Sequence, residues 1–100
     1  MKVTSVHRPE HTALVGLLRE LRLKTGLTQG VVAEKLGIAQ TGISDVEIGV
    51  RGVDYLLVRD LCQIYGLSVA DFDALLKKRL LNEKIEPALR IKRKDSKKRL

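Results

Sequence analysis

LTQGVVAEKLGIAQTGISDVEIGVRG, residues 27–52, holds two short amphipathic segments joined at Leu36-Gly37-Ile38. In the first, Val32, Ala33 and Leu36 fall at i, i+1 and i+4. In the second, Ile43 and Val46 fall at i and i+3, so each segment carries one narrow apolar stripe at helical spacing. Gly37 stands where a chain leaving a helix through a left-handed residue is best served by having no Cβ, and Ala33 is small where two helix axes approach. Helices this short are unstable in isolation, because nucleation is unfavourable and few propagation steps follow it. The pair must therefore dock on a larger helical body, which leaves one face of the second segment exposed.

Outward from this stretch the pattern predicts five helices and no strand. Pro9 suits the first turn of helix 1, whose stripe Leu14, Leu17, Leu18, Leu21 follows the i, i+3, i+4, i+7 template before Gly26 ends it. Thr28 is a good N-cap for helix 2, whereas Ala39, at the start of helix 3, is a poor one. Asp54 caps helix 4, Tyr55 to Tyr65, with the stripe Val58, Leu61, Cys62, Tyr65 and a stop at Gly66. Ser68 and Asp71 form a capping-box-like start for helix 5, which buries Phe72 and either Leu75 or Leu76.

The order and spacing of GLTQ, AEKLGI, ISDVE and the exit Gly49-Val50-Arg51 resemble the Xre and Cro/C1 family of phage-repressor-like helix-turn-helix DNA-binding proteins. The resemblance runs from about Pro9 to Leu76. It implies an all-α, five-helix lambda-repressor-like DNA-binding domain with a basic C-terminal extension. The expected organisation is an N-terminal arm at 1–8, the helix-turn-helix domain at 9–76 and the extension at 77–100.

By the same resemblance helix 3 enters the major groove while helix 2 spans the backbone. Gln40, Thr41, Ser44 and Asp45 then face base edges, with Gln40 suited to a planar two-bond contact with adenine. Gly42 between them costs about 1 kcal/mol of helix propensity relative to alanine and reads as tolerated rather than required. Backbone contacts fall to Gln29, Lys35, Ala39 and Arg51, although Ala39 stands where the family usually has Ser or Thr. Arg22 and Glu47 match an internal salt bridge that joins helix 1 to the end of helix 3. Ile48, Val50 and Val31 depart from the polar residues usual there; they are either scattered surface hydrophobes or, with Leu56 and Leu57, one protein-binding patch.

Composition narrows the remaining classes. The chain has 100 residues, 44% of them hydrophobic and only three aromatic, which favours one aliphatic helical core over a sheet sandwich. No apolar run approaches the roughly 18 residues of a membrane span, and MKVTSVHRPEH lacks the hydrophobic region of a signal peptide, so a cytoplasmic location without membrane partners is expected. The single cysteine, Cys62, reads as a small buried hydrophobe. His7 and His11 sit at i and i+4 with no thiol or carboxylate cluster beside them, so neither metal nor other cofactor is expected. With no nucleophile near a base, no phosphate loop and no paired carboxylates, the pattern is not that of an enzyme.

Charge is unevenly spread. Lys77 to Leu100 carries eleven Lys or Arg against three Asp or Glu, a net +8 within a chain whose total is +7, so residues 1–76 sum to −1. The run Arg90, Lys92, Arg93, Lys94, Lys97, Lys98 and Arg99 reads as a solvated disordered tail, as a phosphate-binding arm or as a protein contact. Leu80 to Ile91 retains apolar residues that would extend helix 5 or pack on a partner subunit before Pro87 interrupts it. The function these readings imply is sequence-specific binding of double-stranded DNA by a homodimeric repressor on a palindromic operator. The alternative is an antitoxin-like or bridging protein whose main role is to bind another protein, such as a toxin.

Overall fold

The chain is seen in a computed structural model that describes residues 8–84. These form α1 (Pro9–Thr25), α2 (Gln29–Leu36), α3 (Gln40–Glu47), α4 (Tyr55–Tyr65) and α5 (Val69–Asn82), with no strand among the described residues. The N-terminal arm up to His7, Pro87 and the basic residues Arg90, Lys92, Arg93, Lys94, Lys97, Lys98 and Arg99 lie outside them.

The helix starts follow from local chemistry. Thr28 Oγ1 accepts from Val31 N at 3.1 Å, Asp54 Oδ1 from Leu57 N at 2.8 Å, and Ser68 Oγ from Asp71 N at 3.0 Å. Each such cap satisfies one orphan donor and is worth about 1 kcal/mol. Ala39 has no side-chain oxygen, and α3 begins uncapped. Between α2 and α3 the chain turns at Gly37, φ 74°, and Ile38 N donates back to Ala33 O at 3.0 Å. A residue with a Cβ is strained at that φ, which is why glycine occupies the turn.

α1 is the spine, packed against α3, α4 and α5, while α2 packs on α3 and α4. Leu18, Val32, Ile43, Val46, Leu61 and Cys62 are the most deeply buried large side chains. The buried surface of α1 is broader than its leucine stripe. Leu17 and Leu18 are buried and Leu14 and Leu21 half-buried, but His11, Ala13, Val15 and Arg22 are also buried. A helix clasped on several sides has no single apolar face, so periodicity alone under-reads it.

In α5, Phe72 is buried and Leu76 packs partly on the core, while Leu75 is exposed. The helix continues past Leu76 to Asn82, so the first part of the basic extension is helical. Lys77 pairs with Asp73 at 3.5 Å along the helix, and Arg79 reaches across to Glu20 of α1 at 2.7 Å. Gly16 lies under that crossing: a Cβ there would be 2.9 Å from Arg79 Nη2, and the guanidinium would have to shift. No helix among the described residues is long and apolar enough to cross a membrane.

Ile43 is 1% exposed and joins α3 to the core. Ile43→Ala should cost about 3 kcal/mol, whereas Asp54→Ala, which removes only a cap, should cost about 1 kcal/mol. Urea denaturation of both variants checks the ratio, and a mild Ile43→Ala would mean that α3 is loosely held.

Candidate nucleic-acid interface

α3 is eight residues long, begins without a side-chain cap and contains a glycine, so its own propensity cannot hold it. Tertiary packing does. Ile43 and Val46 anchor its inner face, and Glu47 at its last turn enters a buried polar network. Arg22 Nε donates to Glu47 Oε2 at 2.7 Å and Arg22 Nη2 to Glu47 Oε1 at 3.0 Å, a two-bond fork. Arg22 Nη1 donates to the Leu27 carbonyl at 2.9 Å, and Gln29 Nε2 donates to Glu47 Oε1 at 2.9 Å. The end of α1, the loop after it, the start of α2 and the end of α3 are thus tied at one point.

The electrostatics match the geometry. The hydrogen bond from Glu47 pushes the Arg22 guanidinium above its already high ordinary pKa, outweighing the opposing effect of burial. Tyr65 lies near the pair, and burial, with a smaller contribution from the Glu47 charge, pushes its phenol up to about 12. Burial alone raises the Cys62 thiol, which is consistent with an inert core side chain.

Opposite Ile43 and Val46 the helix offers Gln40, Thr41 and Asp45, all exposed, with Ser44 half-buried beside them. Gln40 leans toward the start of α2, where a Cβ on Gly30 would meet its Oε1 at 3.8 Å. Lys35, Ala39 and Arg51 are exposed; Arg51 lies beside Gly42 of α3, whereas Lys35 lines a depression with Asp60, Gln63 and Ile64 of α4. Gln29 is half-buried, and its amide nitrogen is committed to Glu47, leaving its main chain at the first turn of α2 as its outward contribution.

Gly42 has close neighbours in the structure. The space its side chain would fill is already occupied, with Arg51 Nη1 at 3.0 Å and Ile38 Cδ1 at 3.2 Å from an added Cβ. A glycine in an otherwise regular short helix was the available signal, but sequence does not show which neighbour fills the gap. The Leu27 carbonyl, as the third acceptor of Arg22, leaves no sequence signal at all.

Ile48, Val50 and Leu56 are about two-thirds exposed, as is Tyr55, whereas Leu57 packs partly on the core and Val31 is only marginally exposed. Among the described residues no group of three or more His, Cys, Asp or Glu could hold a metal ion. His11 is buried in α1, and His7, four positions before it, lies outside the described residues.

Removing one partner of a buried pair strands the other charge. Glu47→Gln should therefore destabilise the fold by about 3 kcal/mol, while the volume-filling double variant Arg22→Met with Glu47→Leu recovers most of that loss. Chemical denaturation distinguishes the two. Tyr65 adds a pH dependence: its folded pKa is raised, so its stabilising contribution is full below the ordinary phenol value near 10 and is lost as pH rises toward about 12. Urea midpoints should fall through this window more steeply in the natural chain than in Tyr65→Phe, and equal slopes would refute the assignment.

Comparison with known proteins agrees with this architecture. A family model described as a helix-turn-helix domain matches residues 13–75. The propionyl-CoA carboxylase regulator of Cereibacter sphaeroides is 44% identical over 52 residues, which are 52% of this chain and 11% of that regulator. The chain therefore spans about a tenth of the length of that relative. Among solved structures, a restriction-modification controller protein, determined as a tetramer in complex with its natural 35-base-pair operator, superposes with a TM-score of 0.69 at 23% identity. That match covers 75% of this chain and 99% of the controller. With a match over residues 13–75, the chain belongs to the helix-turn-helix domain family.

Proposed function

We propose that the chain reads a specific sequence in double-stranded DNA as a homodimer and represses transcription from a nearby promoter by occluding polymerase. The observation that carries this reading is the arrangement of α3. Its inner face and last turn are locked by Ile43, Val46 and the Arg22–Glu47 fork, while Gln40, Thr41 and Asp45 project from the other side. A short helix held rigidly by its back and polar on its front suits the major groove.

In that pose Gln40 donates to N7 and accepts from the amino group of one adenine. Thr41 offers its methyl to thymine and its hydroxyl to an acceptor, Ser44 adds a hydroxyl on the same flank, and Asp45 accepts from a cytosine amino group. Lys35 and Arg51 meet phosphates, with main-chain N–H groups at Gln29 and Ala39 contributing at the helix starts. These contacts set register and orientation, and the base contacts set sequence.

One such helix distinguishes only a few base pairs, each worth about 1 to 3 kcal/mol, so useful specificity calls for two copies on an inverted repeat about 34 Å apart. The operator-bound tetramer of the controller protein supports an assembly of several copies on DNA. The outer side of α5, where Leu75 and Leu81 are exposed, is the surface we assign to the partner copy. The regulatory name of the Cereibacter relative supports a role in transcription, not catalysis.

A second reading has the domain docking on another protein, and the exposed set Ile48, Val50, Tyr55 and Leu56 favours it. Selection of bound duplexes from a random pool at about 150 mM salt, with the natural chain and Gln40→Ala side by side, separates the two. The expected result is an inverted repeat that loses preference at one symmetric position in the variant, the loss amounting to about 1 to 3 kcal/mol per half-site. Binding that is salt-sensitive but without sequence preference would favour the protein-docking reading.

A further inference from the structure

Arg51 follows the turn after α3 and is exposed, yet its guanidinium lies against the helix, with Nη1 3.0 Å from the position of a Gly42 Cβ. Ile38 forms the other wall of this seat, its Cδ1 3.2 Å from the same point. Two carboxylates, Asp54 and Asp60, line the adjoining depression with Arg51. Asp54 Oδ1 is engaged in capping α4, and Arg51 forms no ion pair with either carboxylate. Here the absent side chain of Gly42 gives the guanidinium a place on the flank of α3 instead.

We infer that Gly42 is a positioning residue for Arg51: by lacking a Cβ it seats the guanidinium against the reading helix and so fixes the phosphate contact relative to the base-reading side chains. The inference rests on the DNA-reading function proposed above. It explains why α3 carries the residue least suited, after proline, to a helix interior. A methyl group at position 42 would meet only the ends of two side chains that can move. Both would have to give by a few tenths of an ångström, which shifts the guanidinium from the position it holds against α3. Gly42 and Arg51 then form one functional unit, in which the first acts only through the second.

The test compares the natural chain, Gly42→Ala, Arg51→Ala and the double variant on the duplex recovered by selection, titrated across a range of salt. Arg51→Ala should weaken binding roughly tenfold and flatten the slope of log affinity on log salt by about one. Gly42→Ala should reproduce much of that loss, roughly threefold or more, with the same flattening. The double variant should bind no more weakly than Arg51→Ala alone, because the seat has no value without its occupant. The melting temperature of Gly42→Ala should be equal to or above that of the natural chain, which separates displacement of Arg51 from damage to the helix. If it is lower, Gly42→Ser repeats the cycle with a second small side chain. Losses that multiply in the double variant, or an unchanged affinity in Gly42→Ala, overturn the inference. Absence of sequence preference in the natural chain is a separate outcome: it overturns the DNA reading itself, and this inference with it.

Discussion

The rest of the structure depends on a buried guanidinium–carboxylate fork. Arg22 and Glu47 are 25 positions apart and nearly inaccessible, their side chains 9% and 3% exposed. Such a pair contributes little net stability, because desolvating two charges offsets most of their attraction. Its value is directional. A planar guanidinium and a carboxylate joined by two parallel bonds have one relative orientation, unlike two leucines, which pack almost as well after a small rotation. With the Leu27 carbonyl and the Gln29 amide drawn into the same point, the orientation of α3 follows from hydrogen-bond geometry as well as from shape.

The same logic accounts for where intrinsic helix propensity is strong and where it is weak. α1, α4 and α5 carry good formers or side-chain caps and make a self-consistent frame, whereas α3 has an uncapped start at Ala39 and a glycine at position 42. A helix that owes its existence to docking is ordered only while its inner face is seated. Ile43 and Val46 therefore do two things at once: they bury apolar surface and they present the opposite face. Rigidity obtained this way reduces the conformational entropy lost on binding, which favours recognition by a small surface.

Much of this was legible in sequence because it rests on local signals. The five helices, the turn at Gly37, the caps at Thr28, Asp54 and Ser68, and the inward Ile43 and Val46 follow from period and from residues with one conformational use. What was not legible depends on contacts distant in the chain. Val15 and His11 are buried because α1 meets several partners, which no single-helix period can register. That Arg79, beyond Leu76 in α5, meets Glu20 of α1 beside Gly16 is a contact spanning 59 positions. Gln29, an outward contact by position alone, is half-turned into the fork, since an amide donor beside a buried carboxylate is better satisfied there than in water. Gly42 belongs to the same class: its residue type was visible, its occupant was not.

Charge separates two tasks along the chain. The family match ends at residue 75, close to where the net charge changes from −1 over residues 1–76 to +8 beyond. A nearly neutral reading domain gains little from long-range attraction to a polyanion, and α3 itself carries Asp45 and Glu47. On the proposed function this is an advantage for discrimination, because the sequence-independent part of affinity raises binding to every duplex alike. Arg51 differs from the cations of the extension in lying beside α3, its Nη1 3.0 Å from the position of a Gly42 Cβ.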